Sequence, residues 1–151
     1  MSNLPDAHEV NVLQNALMYS AINTTNTIII PCGWYKRIVR ENGKPHLLAV
    51  NLLAYIINLY MTDCVFDECH THVIGFRFRF DDDILQLSYA QIAERFGCSK
   101  REATDAVVTL EKLGLIEREF RTICINGVNT SNVLFINLFP QQVFNLTREE
   151  S

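Results

Sequence analysis

Apolar residues recur at two different periods along the chain, and the switches between them outline the elements. From Glu9 to Ile22 they fall at Val10, Leu13, Ala16, Leu17 and Ala21, which is helical spacing. Thr27 to Ile30 is β-branched and suits a short strand or an extended arm. Leu47 to Met61 is apolar nearly all round. Leu48, Leu52, Tyr55, Ile56 and Leu59 make one face, and Leu47, Val50, Leu53 and Ile57 widen it. Such a helix is buried centrally or lies in a subunit interface. Pro45 suits its first position, where a missing N–H costs nothing. Thr62 to His72 reads as a polar loop. Val73 to Phe80 alternates, with Phe76, Phe78 and Phe80 against Arg77 and Arg79, the period of a half-buried strand.

Punctuation is clearest after Asp83. Ser88 is a good N-cap, and Gln91 three residues on completes a capping box. Ile92, Ala93 and Phe96 face inward, and Gly97 supplies a turn. Ser99 and Glu102 repeat the cap signal, and Ala103, Ala106, Val107, Leu110 and Leu113 form a buried stripe. Gly114 fits a left-handed helix end. Leu115 to Ile125 is expected to be a strand, residues 127–132 (GVNTSN) a connecting loop, and Val133 to Phe139 the returning strand.

The length of 151 residues allows one domain, or one domain plus an extension, and 48% apolar residues can fill a core. A formal charge of −4 argues against indiscriminate nucleic-acid binding but allows a local basic patch. Five cysteines, an odd number without a dense framework, suit reduced and mostly buried thiols in a cytoplasmic protein. No signal peptide is visible at the N-terminus, and Leu47–Met61 is short of a membrane span and interrupted by polar Asn51 and Asn58.

The stretch LSYAQIAERFGCSKREATDAVVTLEKLGLIE resembles a winged helix-turn-helix, and more narrowly the domains of replication-initiator and mobile-element proteins of bacteria, plasmids and phages. The tail VLFINLFPQQVFNLT resembles the return strand of that group, so the resemblance covers roughly Leu47 to Thr147. It implies an α+β, mainly helical fold. The expected parts are an N-terminal helical extension over 1–45, a winged-helix domain over 46–147 and a tail over 148–151. It also implies double-stranded DNA as partner, with the second helix in the major groove. Carried over position by position, the outward residues are Lys100, Arg101, Thr104, Asp105, Val108 and Thr109, with Ser99 at the cap before them. Ser99 would donate to a phosphate, and Lys100 and Arg101 would contact phosphate or guanine. Asp105 would repel phosphate unless it accepts from a cytosine amino group. Arg118 and Arg121 in the wing would grip the backbone. A homodimer would suit palindromic sites, and replication proteins are candidate partners. The fold also serves protein-interaction adaptors without DNA binding, and that alternative stays open.

Arg95, Lys112, Arg77 and Arg79 read as solvated charges, and Lys36, Arg37 and Arg40 form a further basic spot beside Trp34, itself a core or interface anchor. Cys64, Cys69, His70 and His72 are metal-ligand types, but four ligands within nine residues would wrap a zinc ion awkwardly. The expectation is a plain polar loop, no metal and no cofactor. No nucleophile elbow or phosphate-binding loop occurs, so no enzymatic activity is expected.

Overall fold

A computed structural model describes residues 4, 6–12, 28–80 and 82–148, with backbone only at 62 and 78. Residues 7–12 are helical, entered through Asp6, whose Oδ1 accepts from the Glu9 N–H at 2.8 Å. Leu13, Ala16, Leu17 and Ala21 of the predicted amphipathic helix, and Thr27 of the predicted arm, lie outside the described residues. From Trp34 the elements are α1 (Trp34–Arg37), α2 (Leu47–Tyr60), β1 (Thr62–Phe66), β2 (Val73–Phe78) and β3 (Leu85–Gln86). They continue with α3 (Tyr89–Phe96), α4 (Lys100–Lys112), β4 (Ile116–Ile125), β5 (Val128–Leu138) and α5 (Pro140–Arg148). Helices and two small antiparallel sheets make this an α+β fold.

The all-round apolarity of α2 has a direct consequence. Ala49, Val50, Leu52, Leu53, Ala54 and Ile56 are all buried. Ile92 of α3 and Ala103, Ala106, Val107 and Leu110 of α4 join them in one cluster, with Leu134 and Ile136 of β5. Truncating one of the large members to Ala would cost about 2–5 kcal/mol. The chain's own core therefore absorbs the face of α2 that sequence alone offered to a dimer. Pro45 is not the first helical residue. It forms a bridge with Val39 that closes the Asn42-Gly43 turn, and α2 starts two residues later with His46 as its cap.

The helix-turn-helix follows its punctuation. Both halves of the Ser88–Gln91 capping box form. Gly97 ends α3 with φ +66°, and Ser99 Oγ accepts from the Glu102 N–H at 3.1 Å. Gly114 follows α4 with φ +75°. The hairpin differs from expectation. Its turn is Asn126-Gly127 alone, with φ 51° and 80°, the left-handed pair of a type I′ turn. Residues 128–132 therefore belong to β5 rather than to a loop. Pairing runs from Ile116↔Leu138 to Ile125↔Val128, with a bulge between Arg121 and Ile123. β3, unassigned from sequence, adds to the other edge of β5 through Leu85↔Ile136. Tyr60 fastens this edge: its hydroxyl donates to the Ile136 carbonyl and accepts from the Leu85 N–H at 3.1 Å. Burial raises the Tyr60 phenol above its ordinary value. Two helices, a left-handed turn and a three-stranded sheet of order β3-β5-β4 are consistent with a winged helix-turn-helix.

Other expectations are corrected. Thr62–Phe66 is not loop; it pairs with β2 in a two-stranded ribbon, Cys64 opposite Phe76. Of the expected inward face, Phe76 is 69% exposed and Phe80, beyond the strand end, packs on the core, edge-on to Tyr60, while the Phe78 side chain lies outside what is described. Arg79 is not a solvated charge: its Nε donates to Asp63 Oδ1 at 3.1 Å and its Nη1 to the Asn58 carbonyl at 3.1 Å. Past the return strand a further helix forms, α5, opened by Pro140. Its end is tied to α1, where Trp34 Nε1 donates to Thr147 Oγ1 at 2.9 Å and Arg37 Nη1 to the Leu146 carbonyl at 3.0 Å. Trp34 is a core anchor, and four of the five thiols are exposed rather than buried.

Candidate nucleic-acid interface

The start of α4 is built to carry charge into solvent. Ser99 caps it, so the Ser99 Oγ is already engaged as an acceptor. Lys100 and Arg101 follow at once, both exposed, with no carboxylate partner among the described residues. The unsatisfied N–H groups of this first turn add partial positive charge, tempered by Glu102. Thr104 and Thr109 turn their hydroxyls back onto the helix, to the Lys100 carbonyl at 2.7 Å and the Asp105 carbonyl at 2.9 Å. As donors they are occupied; as acceptors they remain open.

Beyond the first turn the outer face of α4 is not a bare convex surface. The 39–46 segment runs beside it, leaving a groove of about 620 Å³ between Val39–Asn42 and His46 on one wall and Asp105, Val108, Thr109 and Lys112 on the other. A neighbouring groove brings Arg40 and Arg101 to one concavity. Asp105 connects the walls. His46 is 2% exposed, and its Nδ1 accepts from the Ala49 N–H at 3.2 Å. A neutral imidazole using Nδ1 as acceptor carries its hydrogen on Nε2. That Nε2 lies 2.9 Å from Asp105 Oδ2 and donates to it. Arg40 Nη1 reaches the same oxygen at 3.5 Å. The acidic residue of the helix thus has a cation and a ring donor against it.

The wing is different. Arg118 donates from Nε and Nη2 to Glu111 Oε1 at 3.1 and 2.9 Å, and from Nη1 to the Tyr89 hydroxyl at 3.2 Å. Its backbone N–H bonds Glu111 Oε2 at 2.8 Å. These bonds hold the Glu111 carboxyl below its ordinary value. Arg121 meets Asp83 with two parallel bonds of 2.8 and 3.0 Å, reaches Glu119 at 3.1 Å, and stacks over the Phe135 ring at 4.6 Å. The guanidinium pulls Asp83 down to about 2. Both wing arginines, expected at the DNA backbone, therefore lie against acidic groups of the same chain. Residues 122–132 contain no charged side chain, and Ile125 and Val128 at the tip are exposed.

Sequence reasoning named Lys100, Arg101 and Asp105 but left His46 out of the site and placed Arg40 elsewhere. Arg40 and His46 lie 65 and 59 positions from Asp105, so no local pattern joins them. The one available signal was a histidine immediately before an apolar helical run, the place of a cap. Among the described residues no three His, Cys, Asp or Glu side chains converge to hold a metal ion, Cys64, Cys69, His70 and His72 included. Asp67, in the same turn, accepts instead from the Thr71 N–H at 2.8 Å and hydroxyl at 3.0 Å. No helix among the described residues is long and apolar enough to cross a membrane.

No family model and no curated protein matches the chain. Among solved structures it is similar to wild-type Lactococcus lactis ZitR in complex with DNA, at 14% identity, over 97% of this chain and 73% of that one, with a TM-score of 0.37. A likeness this distant carries no argument for fold or function.

Proposed function

We propose that this chain binds double-stranded DNA through the N-terminal turn of α4, as a sequence-reading protein in replication initiation or transcriptional control of a plasmid, phage or conjugative element. One observation carries the reading: Lys100 and Arg101 stand exposed at a helix N-terminus with no carboxylate partner among the described residues, and Arg40 shares a groove with Arg101. Exposed cations beside the positive end of a helix suit phosphate and guanine edges. The wing, with Arg118 and Arg121 held by Glu111, Asp83 and Glu119 and no charged side chain over 122–132, brings no free cation to a duplex. In this reading residues 1–45 form an extension to a DNA-binding domain over 46–147, and two copies meet on a palindromic site. Replication proteins are further partners where the site lies in an origin.

Fluorescence anisotropy on random-sequence duplex, repeated across a salt series, tests the reading. Two phosphate-neutralising side chains, Lys100 and Arg101, give a slope of log affinity against log salt of about −1.8. A folded protein with no affinity at low salt would overturn it. The second reading, a protein-interaction adaptor, is favoured by the internal engagement of Arg118 and Arg121 and by the apolar, uncharged wing tip. Where an enriched site falls on the replicon separates an origin role from a promoter role.

A further inference from the structure

We propose that Asp105 reads cytosine in the major groove and that His46 and Arg40 are positioning residues that hold its carboxylate for the task. The inference rests on the duplex-binding reading above.

Asp105 lies one turn beyond Arg101 on the same face of α4, four positions on, so the two side chains are neighbours. Its side chain is 55% exposed and lines both grooves. His46 and Arg40 both meet Oδ2, leaving Oδ1 with no hydrogen-bond donor among the described residues. An ionised carboxylate accepts only. Guanine and thymine offer it acceptors in the major groove. Adenine offers a donor beside the N7 acceptor, whereas cytosine presents its N4 amino donor without that neighbour. A carboxylate in a fixed orientation therefore selects cytosine.

The fixing comes from the core. His46 is the cap of α2, clamped by the Ala49 N–H on one ring nitrogen and directed at Asp105 by the other. A ring so buried cannot follow the carboxylate about, so it restricts where Oδ1 can stand. Arg40 on the same oxygen also lessens the repulsion between Asp105 and nearby phosphates.

Selection from a random-sequence duplex pool with the full chain tests this, using the natural protein, Asp105→Asn and His46→Asn. The natural protein should show one position where cytosine is preferred on the order of tenfold. Asp105→Asn should lose that preference and shift it toward adenine, leaving the other positions unchanged. Asparagine is a good cap, so His46→Asn keeps the start of α2 but loses the reach to Asp105. It should weaken the cytosine preference severalfold while the salt slope stays as it was. An unchanged motif in Asp105→Asn overturns the cytosine assignment alone, and an unchanged motif in His46→Asn removes the positioning role. A folded natural protein that enriches no motif overturns the duplex-reading function and this inference with it.

Discussion

Lys100 and Arg101 at the start of α4 stand in solvent, whereas Arg118 and Arg121 on β4 close on Glu111, Asp83 and Glu119 of their own chain. Both pairs looked alike as candidate DNA contacts. What separates them is the carboxylate within about 3 Å, a charge-assisted partner that a phosphate would have to displace. Glu111 reaches Arg118 because the chain reverses between α4 and β4, bringing positions seven apart side by side. Asp83 reaches Arg121 because β3 adds to the edge of β5 opposite β4, and the aspartate two positions before it meets Arg121 across β5, over the Phe135 ring. An arginine in a wing is thus a DNA contact or a structural clasp according to which acidic residues the sheet returns to it.

The sharpest way to break this contrast is to remove each pair in turn. Replacing Lys100 and Arg101 together by Ala should lower duplex affinity about 100-fold and flatten the salt slope by about 2, at 1–3 kcal/mol for each direct contact. Arg118→Ala with Arg121→Ala should change affinity by less than about threefold while the protein remains folded. Equal losses from both pairs, in anisotropy on the same duplex, would erase the distinction. The next effect is on stability. Arg118→Ala should destabilise by about 2 kcal/mol in urea unfolding, because the half-buried Glu111 loses charge-assisted partners. Glu111→Ala added to it should cost little more, since the bonds are shared. Additive losses in that cycle would mean that the two side chains act separately.

Much of the scaffold was legible because its signals are local. The Ser88–Gln91 and Ser99–Glu102 caps, Gly97 and Gly114 mark both helices of the helix-turn-helix, and the apolar run after Leu47 announced a central helix. The wing loop is shorter than its polar composition suggests, because Asn126-Gly127 makes a two-residue turn and the polar residues after it pair in β5. Residues 62–66 read as loop in the sequence because their strand partner, not their composition, makes them a strand. The same limit governed the site. Exposure of Lys100 and Arg101 follows from the stripe of α4 opposite Ala103, Ala106 and Leu110, and so could be read in advance. The His46–Asp105 and Asp83–Arg121 pairs depend on segments 59 and 38 positions away, which periodicity cannot reach.

The clasp at Arg121 also sets a pH dependence. Arg121 holds Asp83 at about 2 in the folded chain, below the unfolded carboxylate at about 3.9. A depressed carboxylate contributes fully above the unfolded value and loses its contribution as pH falls toward the folded one. The wing should therefore loosen between about pH 4 and pH 2, in company with Glu111, which is shifted the same way. Asp83→Asn should remove part of that acid sensitivity in denaturation curves measured across the window. Parallel curves for the two proteins would show that the Asp83 bonds contribute nothing.

The smallest effect compares two glycines. Gly97 ends α3 and Gly127 turns the wing, with φ +66° and +80°, and an added Cβ at either would meet nothing within 4 Å among the described residues. Sterics with neighbours are absent, so Ala at either position carries only the left-handed backbone cost of about 1 kcal/mol. Thermal unfolding should find the two losses equal. Their consequences for DNA should not be equal. Gly97 sets the angle at which α3 presents α4, so Gly97→Ala should lower duplex affinity a few-fold as the tip shifts. Gly127 sits among residues without charge, and Gly127→Ala should leave affinity as it was. A fall in affinity for Gly127→Ala alone would place the wing tip on the nucleic acid through its neutral side chains and reverse the ranking of the two regions.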